Sequence, residues 1–359
     1  MTARRARLVH PVLALSTSIV KRGVGEIYGG AVLHVRQNGK LVEEAAFGEL
    51  FSYGDRVEPN SIFDLASVTK VFSATALLAL FDQRRLSLDD PITVVLPEFA
   101  GKDERRSKVT YRQLLTHTSG LPAHVNFRDE LGAAAVIARV CATPLQTAPG
   151  AEVIYSDLGF MLVGEAISRI ALTPLDVAIR DLVCAPIGAR ALFRPAGDLV
   201  ERVVSTENDA WRGRLLRGEV HDENCWAMGG IAGHAGLFGD ASDVARLAEM
   251  YREGGALAGT RVLFGPTAKE AVREQVSGPD ERRGLGWALR ASDRHSSGTR
   301  FSANSYGHTG YTGTSVWVDP ERALTVVLLT NRVRYSREPE PIRELRAAVH
   351  DAVVEDLER

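Results

Sequence analysis

Strand-forming segments stand at the two ends of this 359-residue chain, and helix-forming segments fill the stretch between them. Residues 29–35 and 41–47 have strand character, and Asn38-Gly39 lies between them. Both turn residues tolerate the positive φ that a type I′ turn demands, so the pair predicts a hairpin. Strand character returns over residues 284–290, 306–309, 314–318 and 324–330, with Asp319-Pro320-Glu321-Arg322 as the turn between the last two. Residues 324–330 are apolar apart from Thr325 and Thr330, the pattern of a central strand covered on both faces. Helices are expected over residues 65–80, 111–116, 130–140, 158–170 and 174–183. The first of these is apolar on nearly every face and is therefore buried all round. A closing helix over residues 341–357 carries Pro341 in its first turn, where the missing N–H costs nothing. The two ends of the chain must then build one sheet, with a helical segment inserted into it. The expected fold class is α/β in the α+β sense, with a sheet domain from residues 1–60 and 236–359 and an all-helical insert domain from residues 61–235.

Composition closes off several functions. A net charge of −2 gives no electrostatic footprint for nucleic acid or an anionic membrane. The pairs Arg105-Arg106 and Arg282-Arg283 read as solvated faces. Cys141, Cys184 and Cys225 are odd in number and far apart, which suits unpaired thiols better than a disulfide framework. The N-terminus Met1-Thr-Ala-Arg-Arg-Ala-Arg has the charge of an export signal, but the apolar stretch after it is short and holds His10 and Pro11. An amphipathic first helix through Leu13 and Val20 is expected instead, with a cytoplasmic location and a periplasmic one as the alternative. No run of eighteen apolar residues predicts a membrane span.

The chemistry sits in three short segments: Ser67-Val68-Thr69-Lys70, Tyr155-Ser156-Asp157 and His308-Thr309-Gly310. A serine hydroxyl is a weak nucleophile at neutral pH, and a lysine one helical turn away, with a phenol and an imidazole brought in by folding, can activate it. Ser18-Ile19-Val20-Lys21 has the same spacing, so spacing alone decides nothing. Ser67 differs in standing where a loop enters a buried helix. Its backbone N–H falls among the unpaired donors of the first turn, which can stabilise an oxyanion. These residues predict a serine hydrolase acting on a small-molecule ester or amide, with no metal and no cofactor. His221, Asp222, Glu223, Cys225 and His234 match no standard zinc spacing.

The three segments in this order, together with Leu114-Leu115-Thr116-His117-Thr118-Ser119-Gly120-Leu121-Pro122, resemble the serine β-lactamase and penicillin-binding-protein superfamily. Within it the chain is most similar to the class C branch, which also holds D-Ala-D-Ala peptidases and many esterases. The resemblance implies a β-lactamase/transpeptidase-like fold: an antiparallel sheet flanked by terminal helices, with a helical insert. It implies that Ser67 forms an acyl-enzyme, that Lys70 and Tyr155 share the proton transfers, and that His308 lies on the strand edging the site. The backbone N–H groups of Ser67 and Tyr311 would form the oxyanion hole. Asp157, His124, Gly310 and Trp287 are the expected substrate contacts, while His117 is expected to be a structural histidine beside the site. Two residues depart from the pattern. Neutral His308 replaces the lysine of many relatives and lacks its standing charge, which predicts weaker dependence on an anionic substrate. Asp157 replaces the asparagine of class C β-lactamases and can only accept hydrogen bonds, which disfavours β-lactam turnover and favours esters. A D-Ala-D-Ala carboxypeptidase or weak β-lactamase is the alternative within the superfamily. A non-hydrolytic acyl-binding sensor is the alternative outside enzymes.

Overall fold

The computed structural model describes residues 13–51, 54–292 and 295–359. The expectations for the basic N-terminus fall on residues 1–12, outside the described residues. The predicted hairpin forms from β1 (Gly30–Gln37) and β2 (Lys40–Gly48), turned by Asn38 at φ 51° and Gly39 at φ 75°. Later in the chain come β3 (Val276–Ser277), β4 (Arg282–Arg283), β5 (Ala288–Leu289), β6 (Tyr306–Thr309), β7 (Ser315–Asp319) and β8 (Leu324–Thr330). Among the described residues they make one antiparallel sheet in the order β3-β4-β5-β6-β7-β8-β1-β2. The last strand pairs with the first, from Ala31 opposite Thr330 to Gln37 opposite Leu324, so the two ends of the chain do close one sheet.

Alternation along these strands fills two cores. Ala31, Leu33, Val35, Leu324, Val326 and Leu328 face the terminal helices α1 (Ala14–Gly23) and α6 (Glu340–Glu358). Val32, Val327 and Leu329 face the larger core. That core includes α2 (Thr69–Asp82), α4 (Asp157–Ala171) and α5 (Ala241–Arg252), with α3 (Ala133–Ala142) at its margin. Residues 69–80 of α2 are all buried, as an apolar surface on every side requires. The stretch between the sheet-forming ends is not all helix: its helices are joined by long loops, and short strands such as Phe63–Asp64 and Leu192–Phe193 both pair with Leu237–Gly239.

Two elements differ from expectation. Residues 284–290 are not one strand, because the backbone N–H groups of Leu285 and Gly286 turn inward to the carbonyls of Ala271 and Leu115. Gly286, at φ 80°, permits that turn, and a strand resumes only at Ala288. Helix α3 starts at Ala133, three residues later than expected, since Gly132 at φ 94° cannot be helical. The cysteines Cys141, Cys184 and Cys225 are buried free thiols. No helix among the described residues is long and apolar enough to cross a membrane.

Candidate active site

Ser67 lies in a single 3-10 turn, Ala66–Val68, that runs directly into α2. Ala66 just before it is held at φ 46°, a strained left-handed conformation for alanine, and its N–H donates to the Asp64 side chain at 2.8 Å. One turn on, the Lys70 side chain is wholly buried. Its ammonium donates to Ser67 Oγ at 3.0 Å, Asp157 Oδ1 at 2.7 Å and the His234 carbonyl at 3.1 Å. Burial alone would lower the proton affinity of Lys70, but Asp157 and Tyr155 more than reverse this and raise it above the ordinary lysine value. Asp157 shows the converse: burial would raise its pKa, and Lys70 with His124 holds it well below the carboxylate range.

Tyr155 enters from the residue before Ser156, the N-cap of α4. His117, at φ 59°, accepts the Ser156 N–H at Nδ1 (3.0 Å) and stacks on the Tyr155 ring at 4.5 Å. It is thus the structural histidine that the sequence suggested. Two cations flank the phenol ring, Lys70 Nζ at 4.9 Å and the Arg283 guanidinium at 5.1 Å from the centroid. His308 on β6 brings its ring to 6.1 Å from that of Tyr155. Burial, then Lys70 and Arg283, push the His308 pKa down to about 3, so the ring is neutral. Its Nδ1 lies 2.9 Å from the Thr309 carbonyl and must donate to it, which leaves Nε2 a buried acceptor without a protein partner.

The segment after β6 is stitched to the nucleophile's turn. Thr312 Oγ1 donates to the Asp64 carbonyl at 2.8 Å and Thr314 Oγ1 to the Leu65 carbonyl at 3.0 Å. A Cβ on Gly310 would come within 2.6 Å of the Leu65 carbonyl oxygen, so only glycine permits this approach. Among the described residues, neither the Ser67 nor the Tyr311 backbone N–H has an acceptor. A cavity of about 680 Å³ opens here, lined by Ser67, Tyr155, Arg283, His308, Tyr311 and Arg346 among others.

Sequence reasoning placed several side chains differently. Asp157 is absent from the cavity lining and is the counter-ion of Lys70 instead, because its place at the start of α4 aims it at the ammonium. His124 is half exposed and reaches Asp157 Oδ2 at 3.6 Å, likewise off the cavity wall. Trp287 is core, packed edge-on between Tyr251 and Tyr306 at 5.1 and 5.3 Å, since the inward turn at Gly286 carries it beneath the sheet. Trp317 is core as well, fully buried and packed edge-on to His295 at 4.6 Å. Ser18 lies on α1 and accepts from Arg22. His221 pairs with Glu207 at 2.6 Å and His234 with Asp222 at 2.9 Å.

Arginines are what the sequence reading missed. Arg283, expected as part of a solvated pair, covers Tyr155 and lines the cavity, while Arg282 pairs with Glu274 outside. Consecutive strand residues point to opposite faces, and that was the available signal. Arg332 and Arg346 also line the cavity, and both are buried with backbone carbonyls as their acceptors.

A serine whose hydroxyl rests on a buried lysine, facing a cavity with two free backbone donors beside it, defines a serine hydrolase. Comparison with known proteins agrees. Residues 18–351 match the Beta-lactamase family model. An Escherichia coli (strain K12) protein provisionally named D-alanyl-D-alanine carboxypeptidase is 31% identical over 343 residues, 85% of this chain and 79% of its own length. Two solved structures share the fold. EstCE1, described as a hydrolase with promiscuous acyltransferase activity, has a TM-score of 0.74 at 24% identity, covering 94% of this chain and 98% of its own. A penicillin-binding protein homologue from Caulobacter crescentus has a TM-score of 0.75 at 21% identity, covering 95% and 97%. The chain belongs to the Beta-lactamase family.

Proposed function

We propose that Ser67 attacks the carbonyl of a small ester or amide and carries its acyl group as a covalent intermediate that water then releases. The contact of Ser67 Oγ with Lys70 Nζ at 3.0 Å carries this reading. Lys70 already donates to a carboxylate and a carbonyl, both of which can only accept. As an ammonium it has its third N–H bond for the hydroxyl and no lone pair to take a proton. The Ser67 proton therefore passes to Tyr155 as the phenol's own proton moves to the alcohol or amine that leaves when the ester or amide bond breaks, and Lys70 stabilises the negative charge that develops. The N–H groups of Ser67 and Tyr311 receive the oxyanion. His308, neutral and with a bare Nε2, accepts a hydrogen bond from substrate or water.

A carboxypeptidase acting on a D-Ala-D-Ala terminus is the second reading. Arg332 and Arg346 beside the cavity favour it, since no carboxylate pairs with either among the described residues and they supply the positive charge that His308 lacks for a substrate carboxylate, whereas Arg283 is already paired with Glu281 at 2.9 Å. Steady-state assays on p-nitrophenyl butyrate and on a peptide ending in D-Ala-D-Ala, each with Ser67→Ala as control, decide between them. Turnover of either that disappears in Ser67→Ala is expected, and the faster substrate names the activity. A fluorophosphonate label found on Ser18 rather than Ser67 would overturn the site. A single burst without turnover would make the protein an acyl-binding sensor.

A further inference from the structure

Arg346 is a buried cation whose acceptors are two backbone carbonyls. It is 6% exposed, and one nitrogen, Nη2, donates to the carbonyls of Gly310 at 2.9 Å and Thr314 at 2.7 Å. Among the described residues no carboxylate pairs with it, and its Nε–H has no partner. Burying an unpaired charge is costly, and a neutral side chain of similar size would have filled the same space. Burial and the neighbouring Arg332 lower its pKa to about 9, which still leaves it charged at neutral pH.

The carbonyl of Gly310 and the N–H of Tyr311 belong to one amide. In a trans peptide the two point in opposite directions, so a carbonyl turned toward α6 turns the Tyr311 N–H away from α6. Tyr311 borders the cavity that holds Ser67. A cation donating to the amide oxygen draws electron density from nitrogen to oxygen, and the N–H becomes a stronger donor. The turn around this amide is held, because the Gly310 carbonyl also accepts the Gly313 N–H at 3.1 Å and the Gly310 N–H donates to the Thr314 carbonyl at 2.7 Å.

We propose that Arg346 is a positioning residue that orients and strengthens the Tyr311 oxyanion donor through the Gly310 carbonyl. The inference rests on the reading of the Tyr311 N–H as half of the oxyanion hole. Arg346 touches no reacting atom in this role; it acts through a shared amide. The effect should appear where charge develops on the substrate oxygen, in the acylation rate rather than in KM.

The test uses Arg346→Met, which keeps length and removes charge and donors, and Arg346→Lys, which restores the charge. Folding is checked by circular dichroism and thermal melting. Acylation is followed with a slowly deacylated cinnamoyl ester, and the infrared stretch of its ¹³C-labelled carbonyl is read in the acyl-enzyme. Losing an oxyanion donor outright costs about 100-fold to 1,000-fold in rate, so weakening one should cost about tenfold with KM within about twofold. The carbonyl stretch in Arg346→Met should move toward that of the denatured acyl-enzyme, and Arg346→Lys should recover part of the shift. A purely structural arginine would leave the stretch where it is in the wild type, and that result would overturn the proposal. If the Met variant does not fold, Arg346→Gln takes its place, and an unshifted stretch there counts equally against it. A wild-type stretch that already matches the denatured acyl-enzyme would instead overturn the oxyanion hole itself, and this inference with it.

Discussion

Replacing Asp157 with Asn tests the ionic arrangement beneath the nucleophile. The Lys70 side chain is 0% exposed and that of Asp157 is 20% exposed, with 2.7 Å between Nζ and Oδ1. Removing one partner of a buried pair costs about 3–5 kcal/mol when the other is left charged. Here the cost falls toward or below the lower limit, because Asp157 is partly hydrated and asparagine keeps an acceptor for the ammonium. A loss of about 2–3 kcal/mol is expected, which for a chain of this length lowers the melting temperature by about 3–4 °C. The sign follows from both partners. Lys70 has a raised folded pKa, so its contribution is complete below its unfolded value near ~10.4 and is lost as pH rises through the folded value. Asp157 has a lowered one, so its contribution is present above ~3.9 and is lost as pH falls through the folded value. The two overlap across the neutral range, and the gap between wild type and variant should narrow in strong acid.

The same substitution changes the chemistry. Without its anion, Lys70 is left with burial as the dominant influence, and its proton affinity falls. A new ionisation should then appear in kcat/KM for p-nitrophenyl butyrate at about pH 8–10, as neutral lysine becomes able to accept the Ser67 proton. Because the carboxylate faces Lys70 and not the cavity, the ratio of amide to ester turnover should stay within about twofold. Melting within a degree of wild type and an unchanged pH profile would show that Asp157 does not hold the lysine charged. A large gain for amides would put Asp157 on the substrate after all.

Other consequences can be checked as directly. His308 and His350 are buried neutral, their pKa values lowered by burial first, to about 3 and about 4. Each therefore costs stability as pH falls below the unfolded value near ~6.5, by about 2 kcal/mol at pH 5 relative to pH 7, and urea denaturation of His308→Gln should show a shallower acid slope than wild type. Gly310→Ala places a methyl 2.6 Å from the Leu65 carbonyl and 3.3 Å from the Ala66 Cβ, which displaces the oxyanion segment; acylation should fall about 100-fold or more, measured in single turnover. Trp287→Phe should leave KM unchanged while lowering stability by about 1–3 kcal/mol in chemical denaturation, since the indole is core and not pocket; a raised KM with wild-type stability would contradict that placement.

What could be read from the sequence was what depends on nearby residues or on one strong pattern. Asn38-Gly39 needs only its own two dihedrals, and the four consecutive apolar residues 326–329 fit only between two covered faces. Ser67 and Lys70 are one helical turn apart, so their contact is local, and Tyr155 and His308 came within reach because the three-segment pattern marked them. The partners of Asp157, Trp287 and Arg283 depended on three-dimensional facts without a local signature. Asp157 finds Lys70 across 87 residues of chain, and only the packing of α4 beside α2 decides that its carboxylate meets an ammonium rather than the cavity. Trp287 was lost to the core by the inward turn at Gly286, a position that strand periodicity treats as one more residue of an extended run. The arginines are the sharpest case. Arg282 and Arg283 look alike in a charge count, yet the pleat sends one to Glu274 and the other over Tyr155, and Arg346 sits on a helix face whose neighbours are set by the last strand pairings. Net charge averages these side chains away, so a chain at −2 can still bring Arg332 and Arg346, which no carboxylate pairs among the described residues, to the cavity that holds its nucleophile.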